Sequence, residues 1–500
     1  MQTRRNDLST QVRRGLAWSS INSLVLKLGT FAVGIVLARL LAPEEFGVFA
    51  VALTVQLVLM SLADLGMTAD LVRTDDPGKI APTVGSLALV TGALLTTTLI
   101  LSAQGLADLL GSPDAGPVIT VMAFTLLLAG TGVVPYAALQ RRFAQKELFI
   151  ISAADFTVST AATLTLVAAG FGVMALAIGR LGAQLTTLIL QFAFSGERLR
   201  LGFDRKTAPE VLAFGLPVAG ANLLSWALLN VDNVVVSRLA GPVSLGFYFL
   251  AFNISNWPIS ALGQVVRSIS IPTFARMAAG RSDKSLSTML GPVWAVSLLA
   301  GLLLALLAAP LIELVYGDRW LPAATILAWL GVFGALRTMF DLSASYLLAR
   351  GAAKATLLVQ FAWIAGLVPA VIGAMHFAGT TGVAAAHLMT GLLVVCPAYA
   401  IALHRSGADT RSLLAKLWPP LAAAVPAAAA SLGVMALVPN PLTALLAGGA
   451  SGTAIYVLLL ARWFRRQLTA AAASLPRNNH PPQTPLSADQ RLAASPGGMP

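Results

Sequence analysis

Residues 298–312 read LLAGLLLALLAAPLI, a run with no ionisable side chain before Glu313. A helix crossing the ~30 Å hydrocarbon core of a bilayer needs about 20 apolar residues. The stretch 287–309 around this run meets that need most cleanly. Thirteen further stretches do so as well: 16–38, 46–66, 82–103, 117–139, 148–169, 173–194, 211–236, 245–266, 321–348, 355–376, 381–403, 414–437 and 442–463. Their apolar character is continuous rather than alternating, which excludes a β-barrel. The composition agrees, with 57% apolar and 11% charged side chains, where soluble domains carry about 25% charged. The net charge of +12 first suggests nucleic acid as a partner. The basic residues, however, come in small clusters between apolar runs and are not massed on one solvated face. The expected fold class is therefore an all-α polytopic membrane protein of about fourteen transmembrane helices, with no nucleic acid among its partners. Cys396 is the single cysteine, and His376, His387, His404 and His480 show no ligand spacing. No disulfide framework, metal site or cofactor is expected.

The loops alternate in charge. Twenty-seven Lys and Arg fall in the N-terminal segment, the even-numbered loops and the C-terminal segment, whereas the odd-numbered loops hold only Arg39, Arg238 and Arg319. Under the positive-inside rule both termini are cytoplasmic. Residues 1–14 are polar and basic with no small-residue cleavage site after the first span, so no removable signal peptide is read. The Pro- and Ser-rich C-terminal stretch reads as a disordered tail. Loops of about 20 residues or fewer leave no room for a soluble catalytic domain.

An internal repeat organises the spans. A shift of 199 residues aligns IVLARLLAPEEFGVFAVA (35–52) with VVVSRLAGPVSLGFYFLA (234–251), with six of eighteen positions identical: Val36/Val235, Arg39/Arg238, Leu40/Leu239, Pro43/Pro242, Gly47/Gly246 and Ala52/Ala251. The shift carries the first span onto the seventh, so both copies run in the same direction. Such parallel repeats are related by an axis along the membrane normal. The organisation read from this is a cytoplasmic N-terminus (1–15), an N-terminal six-helix lobe (16–194) and a basic cytoplasmic linker (195–210). A C-terminal six-helix lobe (211–403), two additional helices (404–464) and the tail (465–500) follow.

Seven Asp, Lys and Arg residues outside the loop clusters fall inside spans: Lys27, Asp64, Asp155, Arg180, Asp232, Arg337 and Asp341. Each costs ~2.5–3.5 kcal/mol at mid-bilayer on insertion scales, so such groups face a bundle interior or a wet cavity. Arg337 and Asp341, at i and i+4, read equally as a self-neutralising pair or as cavity groups. Asp232 has Asn230 and Asn233 beside it, a polar cluster that marks an inner wall or helix-packing glue. Arg39 and Arg238, at outer helix ends, read as interfacial anchors. Glu44 and Glu45 are local partners for Arg39.

LARLLAPEEFGVFAVALTVQLVLMSLADLGMTADLVR (37–73) resembles the first two helices of the bacterial polysaccharide transport family. These are the Wzx-type flippases of the multidrug/oligosaccharidyl-lipid/polysaccharide (MOP) superfamily. DNVVVSRLAG (232–241), VRSISIPTFARM (266–277) and YGDRWLPAATIL (316–327) are similar to later segments of that family in order and spacing. The resemblance implies alternating access for a polyprenyl-diphosphate-linked oligosaccharide across the bacterial cytoplasmic (inner) membrane, in exopolysaccharide, capsule or lipopolysaccharide biosynthesis. It implies a transporter and not an enzyme. Its partners would be a lipid-linked anionic glycan, membrane lipids and polysaccharide polymerase or export machinery. Cavity cations bind substrate in such relatives, and here the candidates are Lys27, Arg180 and Arg337. Candidates for ion coupling or for the polar cavity wall are Asp64, Asp155, Asp232, Asn233 and Asp341. Two rivals remain open on the residues: a cation-coupled multidrug exporter of the same superfamily, and a membrane polysaccharide polymerase or ligase.

Overall fold

The computed structural model describes residues 26–198, 200–277 and 285–474. The start of the stretch 16–38 and the tail beyond Ser474 lie outside them. The chain is helical: α1 (26–40), α2 (Pro43–Ala63), α3 (Met67–Arg73), α4 (Pro77–Leu109), α5 (Ala115–Arg141), α6 (Gln145–Ala168), α7 (Met174–Ser195) and α8 (Thr207–Met277). There follow α9 (Ser285–Leu306), α10 (Ala308–Tyr316), α11 (Pro322–Ala349), α12 (Ala353–Thr390), α13 (Cys396–Arg405), α14 (Thr410–Leu437) and α15 (Pro441–Ser474). The last helix carries regular structure ten residues into the segment expected to be a disordered tail. Its predecessor α14 continues through Pro419, Pro420 and Pro426, where the sequence predicts kinks.

Among the described residues, eleven segments are long and apolar enough to cross a membrane. They differ from the fourteen stretches at three places. Stretch 16–38 is only partly described, 211–236 is not among the eleven, and 355–376 with 381–403 forms one segment, Ala353–Arg405. That segment is interrupted by non-helical backbone at Ala378 (φ −139°, ψ 15°) and Gly379 (φ 58°, ψ −148°). Likewise α8 is two helices, 207–240 and 242–277, meeting at Gly241 (φ 76°, ψ 179°). This φ lies in the left-handed region that only glycine enters cheaply, and Pro242 after it cannot continue a helical hydrogen-bond ladder. The other copy of the repeat turns in the same place: Ala42 is extended (ψ 157°) and Pro43 opens α2. The Ala42 N–H donates to Glu45 Oε2 at 2.8 Å. Glu45 therefore caps α2 and favours its positive end, and is not held as a partner for Arg39.

The two copies of the repeat touch each other at these turns. A Cβ on Gly47 would overlap the carbonyl oxygen of Pro242, and a Cβ on Gly246 would overlap that of Pro43. The contact is reciprocal, as a two-fold relation between the copies requires, and it brings α2 against the second helix of α8 at backbone distance. The repeated arginines are also reciprocal. Arg39 donates from Nε to the Val315 carbonyl at 2.8 Å and from Nη2 to Leu314 at 2.5 Å, at the end of α10. Arg238 donates to the Asp108 carbonyl at 3.4 Å, near the end of α4. Each thus satisfies orphan carbonyls at a helix end belonging to the other half of the chain. Beside them, the Ala38 carbonyl accepts from Arg319 Nη2 (2.7 Å) and Trp320 Nε1 (2.8 Å), and Ser237 Oγ donates to the Leu110 carbonyl at 2.5 Å. The two arginines are therefore lashings between halves, and not merely interfacial anchors.

At the other end, the linker before α8 is pinned to α4: Gly202 N–H donates to Ser86 Oγ at 3.0 Å and Asp204 N–H to Thr83 Oγ1 at 3.1 Å. Asp204 accepts from Thr207 Oγ1 (2.6 Å) and Lys206 N–H (3.1 Å), and these bonds hold its carboxyl below the usual aspartate range. The last two helices dock on α9, where Trp294 Nε1 donates to the Leu417 carbonyl (3.1 Å) and Tyr456 Oη to that of Ala295 (2.9 Å).

The crossing predicts a specific sensitivity. Gly47→Ala and Gly246→Ala each force backbone apart and should cost roughly 1–3 kcal/mol of unfolding free energy in detergent or bilayer. Gly34→Ala, with open space around its Cβ position, should be neutral or slightly stabilising in the same unfolding measurement.

Candidate functional site

Below the crossing lies a polar cluster in an otherwise apolar interior. Asp232 sits nine residues before Gly241 and Tyr248 seven after it, so the two hairpin arms place both side chains ~10–14 Å from the turn. Tyr248 Oη donates to Asp232 Oδ2 at 2.7 Å. His387 of α12 brings Nε2 to 3.2 Å from the same oxygen, and Asn233 N–H donates to Asp232 Oδ1 at 2.9 Å. Asp232 is 2% exposed, Tyr248 0% and His387 5%. Removing a carboxylate from water is costly unless donors surround it. Here a phenol and a backbone N–H donate to it, and an imidazole from a further helix stands within ion-pair distance.

Asn233 continues the cluster toward the first half of the chain. Its Nδ2 lies 3.4 Å from Thr54 Oγ1 of α2 and 3.3 Å from Asn230 Oδ1. Two residues along α2, Gln56 Nε2 donates to Thr125 Oγ1 of α5 at 2.5 Å. Among the described residues, Gln56 Oε1, Asn233 Oδ1 and both His387 ring nitrogens, Nδ1 and Nε2, are buried without a hydrogen-bond partner. Phe333 of α11 packs on the His387 ring, centroids 5.2 Å apart. One turn beyond His387 the helix changes register, with π-type turns over Gly391–Val395 and the Gly391 N–H bonded back to the His387 and Leu388 carbonyls. Such π-turns are uncommon and recur at functional positions.

Two of the three candidate cations meet on one face of α8. Lys27 Nζ donates to the Ser260 carbonyl at 3.2 Å, and Arg337 Nη1 to Asn256 Oδ1 at 3.0 Å. Residues 256 and 260 are i and i+4, about one turn apart, so α1 and α11 deliver their charges to adjacent positions. Between them, Trp257 stacks at a tilt on Phe31, centroids 5.2 Å apart, and its indole N–H is buried without a partner among the described residues.

The third cation is elsewhere. Arg180 of α7 pairs with Asp155 of α6, Nη1 to Oδ2 at 3.9 Å, and Thr187 Oγ1 donates to Asp155 Oδ1 at 3.0 Å. Asp64 accepts from the backbone N–H (3.2 Å) and hydroxyl of Thr68, closing the turn between α2 and α3. Asp341 offers its backbone carbonyl to Ser345 Oγ at 2.8 Å.

Sequence reasoning missed His387, Tyr248, Gln56 and Asn256. His387 was legible in principle, as the ionisable residue of the apolar stretch 381–403, but a search restricted to formal charges passes over a neutral imidazole. The repeat aligns Tyr248 with Phe49, and that added hydroxyl was a weak signal. Nothing marked Gln56 or Asn256.

The long apolar helices around a buried polar cluster define an all-helical, multi-pass membrane protein. Within that class, a family model described as polysaccharide biosynthesis protein matches residues 36–325, more than half of the chain, and the chain belongs to that family. It is 27% identical to the succinoglycan biosynthesis transport protein ExoT of Rhizobium meliloti (strain 1021), over 93% of this chain and 97% of that protein. It is 23% identical to the lipopolysaccharide biosynthesis protein WzxC of Escherichia coli (strain K12), over 82% and 85%. Among solved structures it is similar to the lipid II flippase MurJ in an inward closed conformation. The TM-score is 0.71 at 15% identity, covering 90% of this chain and 99% of that one. An inward-facing multidrug resistance MATE family transporter of the MOP superfamily gives 0.58, at 15% identity over 77% and 98%. These two likenesses are of fold. The family resemblance read from 37–73 and the later segments is borne out.

Tyr248→Phe removes one donor from a buried carboxylate. It should lower unfolding free energy by about 1.5–3 kcal/mol, read from denaturant or thermal unfolding of the purified protein.

Proposed function

We propose that this chain moves a polyprenyl-diphosphate-linked oligosaccharide across the bacterial cytoplasmic membrane by alternating access, serving exopolysaccharide, capsule or lipopolysaccharide biosynthesis. It is a transporter and not an enzyme, since flipping makes and breaks no bond. The observation that carries the choice of an anionic cargo is the convergence of Lys27 and Arg337 on Asn256 and Ser260 of α8. A diphosphate entering the membrane must shed water, and two cations bonded to residues one turn apart offset that cost. Trp257, between them, offers an aromatic face and an unspent indole donor for a sugar. The family membership and the transport protein ExoT as a relative support the same reading.

The architecture that goes with it has fourteen spans, two six-helix lobes, two further C-terminal helices, and both termini in the cytoplasm. In that orientation the Gly47–Pro242 and Gly246–Pro43 crossing lies at the outer face, and the reciprocal arginine bonds close that face. Arg180, engaged with Asp155, serves the packing of α6 on α7 or meets cargo only when that pair opens. Lipid-linked glycan reaches the protein from the enzymes that assemble it, and the flipped product passes to polymerase and export machinery.

Depleting the protein should leave lipid-linked glycan on the cytoplasmic face, and unchanged sidedness would sink the proposal. Lys27→Ala and Arg337→Ala should each cut glycan export at least tenfold at equal protein level, and Arg180→Gln should cut it less. For the topology, cysteines are introduced at Asp114 and Asp75 in a Cys396→Ser background. Membrane-impermeant maleimide should label position 114 in intact cells, and position 75 only after permeabilisation.

A further inference from the structure

We infer that Asp232, His387 and Tyr248 form the binding site for a single coupling proton, and that loading it closes the outer face. This deepens the transport reading and rests on it for what the coupling serves. The observations are geometric. One carboxylate oxygen, Asp232 Oδ2, is shared between the Tyr248 hydroxyl at 2.7 Å and His387 Nε2 at 3.2 Å, and all three side chains are at least nine-tenths buried. Both His387 ring nitrogens, Nδ1 and Nε2, are buried with no hydrogen-bond partner among the described residues, although Nε2 stands within ion-pair distance of the carboxylate.

The charge states follow from that arrangement. With the carboxylate ionised and the imidazole uncharged, the site carries one negative charge. An arriving proton bonds to the lone pair of the ring and makes an imidazolium, which pairs with the carboxylate oxygen 3.2 Å away. The site then has no net charge, and no other bond changes. A neutral ion pair is the form a dry interior tolerates, whereas a buried net charge favours hydration and opening. The proton is a better occupant than a metal cation, because hard cations seek several oxygen ligands and an imidazole stands where one would be.

Each packed element offers its own groups to the site. The first helix of α8 supplies Asp232, with Asn230 and Asn233 beside it. The second supplies Tyr248, and α12 supplies His387. From α2 come Thr54 and Gln56, which do not titrate. From α11 comes Phe333 against the imidazole. Its charged residues Arg337 and Asp341 follow one and two turns on, with Arg337 donating to Asn256.

The site is also placed to move something. It joins both arms of the hairpin whose turn makes the Gly241–Pro242 contact with α2, and the adjacent Asn233 reaches α2 itself. The imidazole is followed one turn later by the π-type turns of Gly391–Val395, a register that can relax toward α-helix as the His387 contact changes.

The test reads the outer face directly and needs no glycan. Full-length protein in the Cys396→Ser background carries spin labels at Asp114→Cys and Asp318→Cys, one on each half of the outer face. Their separation is followed in proteoliposomes from about pH 5.5 to 8.5, with and without sodium. The expected result is a shorter separation at low pH, a single-proton transition, and no effect of sodium at constant pH. Asp232→Asn and His387→Gln should each abolish the transition, whereas Tyr248→Phe should keep it with a displaced midpoint. If the variants do not fold, histidine ring ¹⁵N spectra of the wild-type protein replace them. One of its four imidazoles should convert to imidazolium over the same pH interval as the distance change.

A wild-type separation independent of pH, a transition that survives in both Asp232→Asn and His387→Gln, a sodium response lost in Asp232→Asn, or no imidazole titrating with the distance would each overturn the inference. Loss of the pH response with glycan export intact would sink the proton site alone. An intact response with unchanged glycan sidedness would sink the cargo alone.

Discussion

A bilayer core offers a polypeptide no hydrogen bonds, so every polar group inside it must find its partner within the protein. That constraint explains both the helices and their exceptions. Where α1, α4 and α10 end, helix-end carbonyls lose their intrahelical donors. Arg39, Arg238, Ser237, Arg319 and Trp320 supply replacements from the other half of the chain. The arginines that looked like interfacial anchors are thus committed to closing one end of the molecule. Glycine at 47 and 246 makes this possible by letting two backbones meet where any side chain would intrude.

The same constraint gives the buried cluster its meaning. Asp232 is tolerable because both arms of α8 bring it donors and α12 brings an imidazole within ion-pair distance, and so its position depends on all three being in register. A carboxylate that joins α8 to α12, one residue from an asparagine that reaches α2, is a natural place for a change in charge to alter how the halves meet. Lys27 of α1 and Arg337 of α11 bond to a different stretch of α8, two turns and more beyond Tyr248, at a carbonyl and a carboxamide. The two cations and the Asp232 cluster thus meet the α8 hairpin at separate stretches.

Fold class was legible because it depends on composition and run length, which need no knowledge of neighbours. The pairing of Arg180 with Asp155 was not. The two lie on different helices, and each was read alone, as a cavity cation and as a coupling acid. His387 was invisible for another reason: its role comes from the buried carboxylate beside it, and in isolation it is one more neutral side chain in an apolar run.

By itself the sequence determined that the chain is an all-helical membrane protein with a repeated turn, because hydropathy, proline and glycine act through local free energies. Only the tertiary structure decided that the repeated glycines face each other's prolines, that Arg39 and Arg238 bind the opposite half, and that Asp232 shares its oxygen between Tyr248 and His387. These are meetings between residues far apart in the chain. Their strength comes from desolvation and geometry, which exist only once the helices have packed.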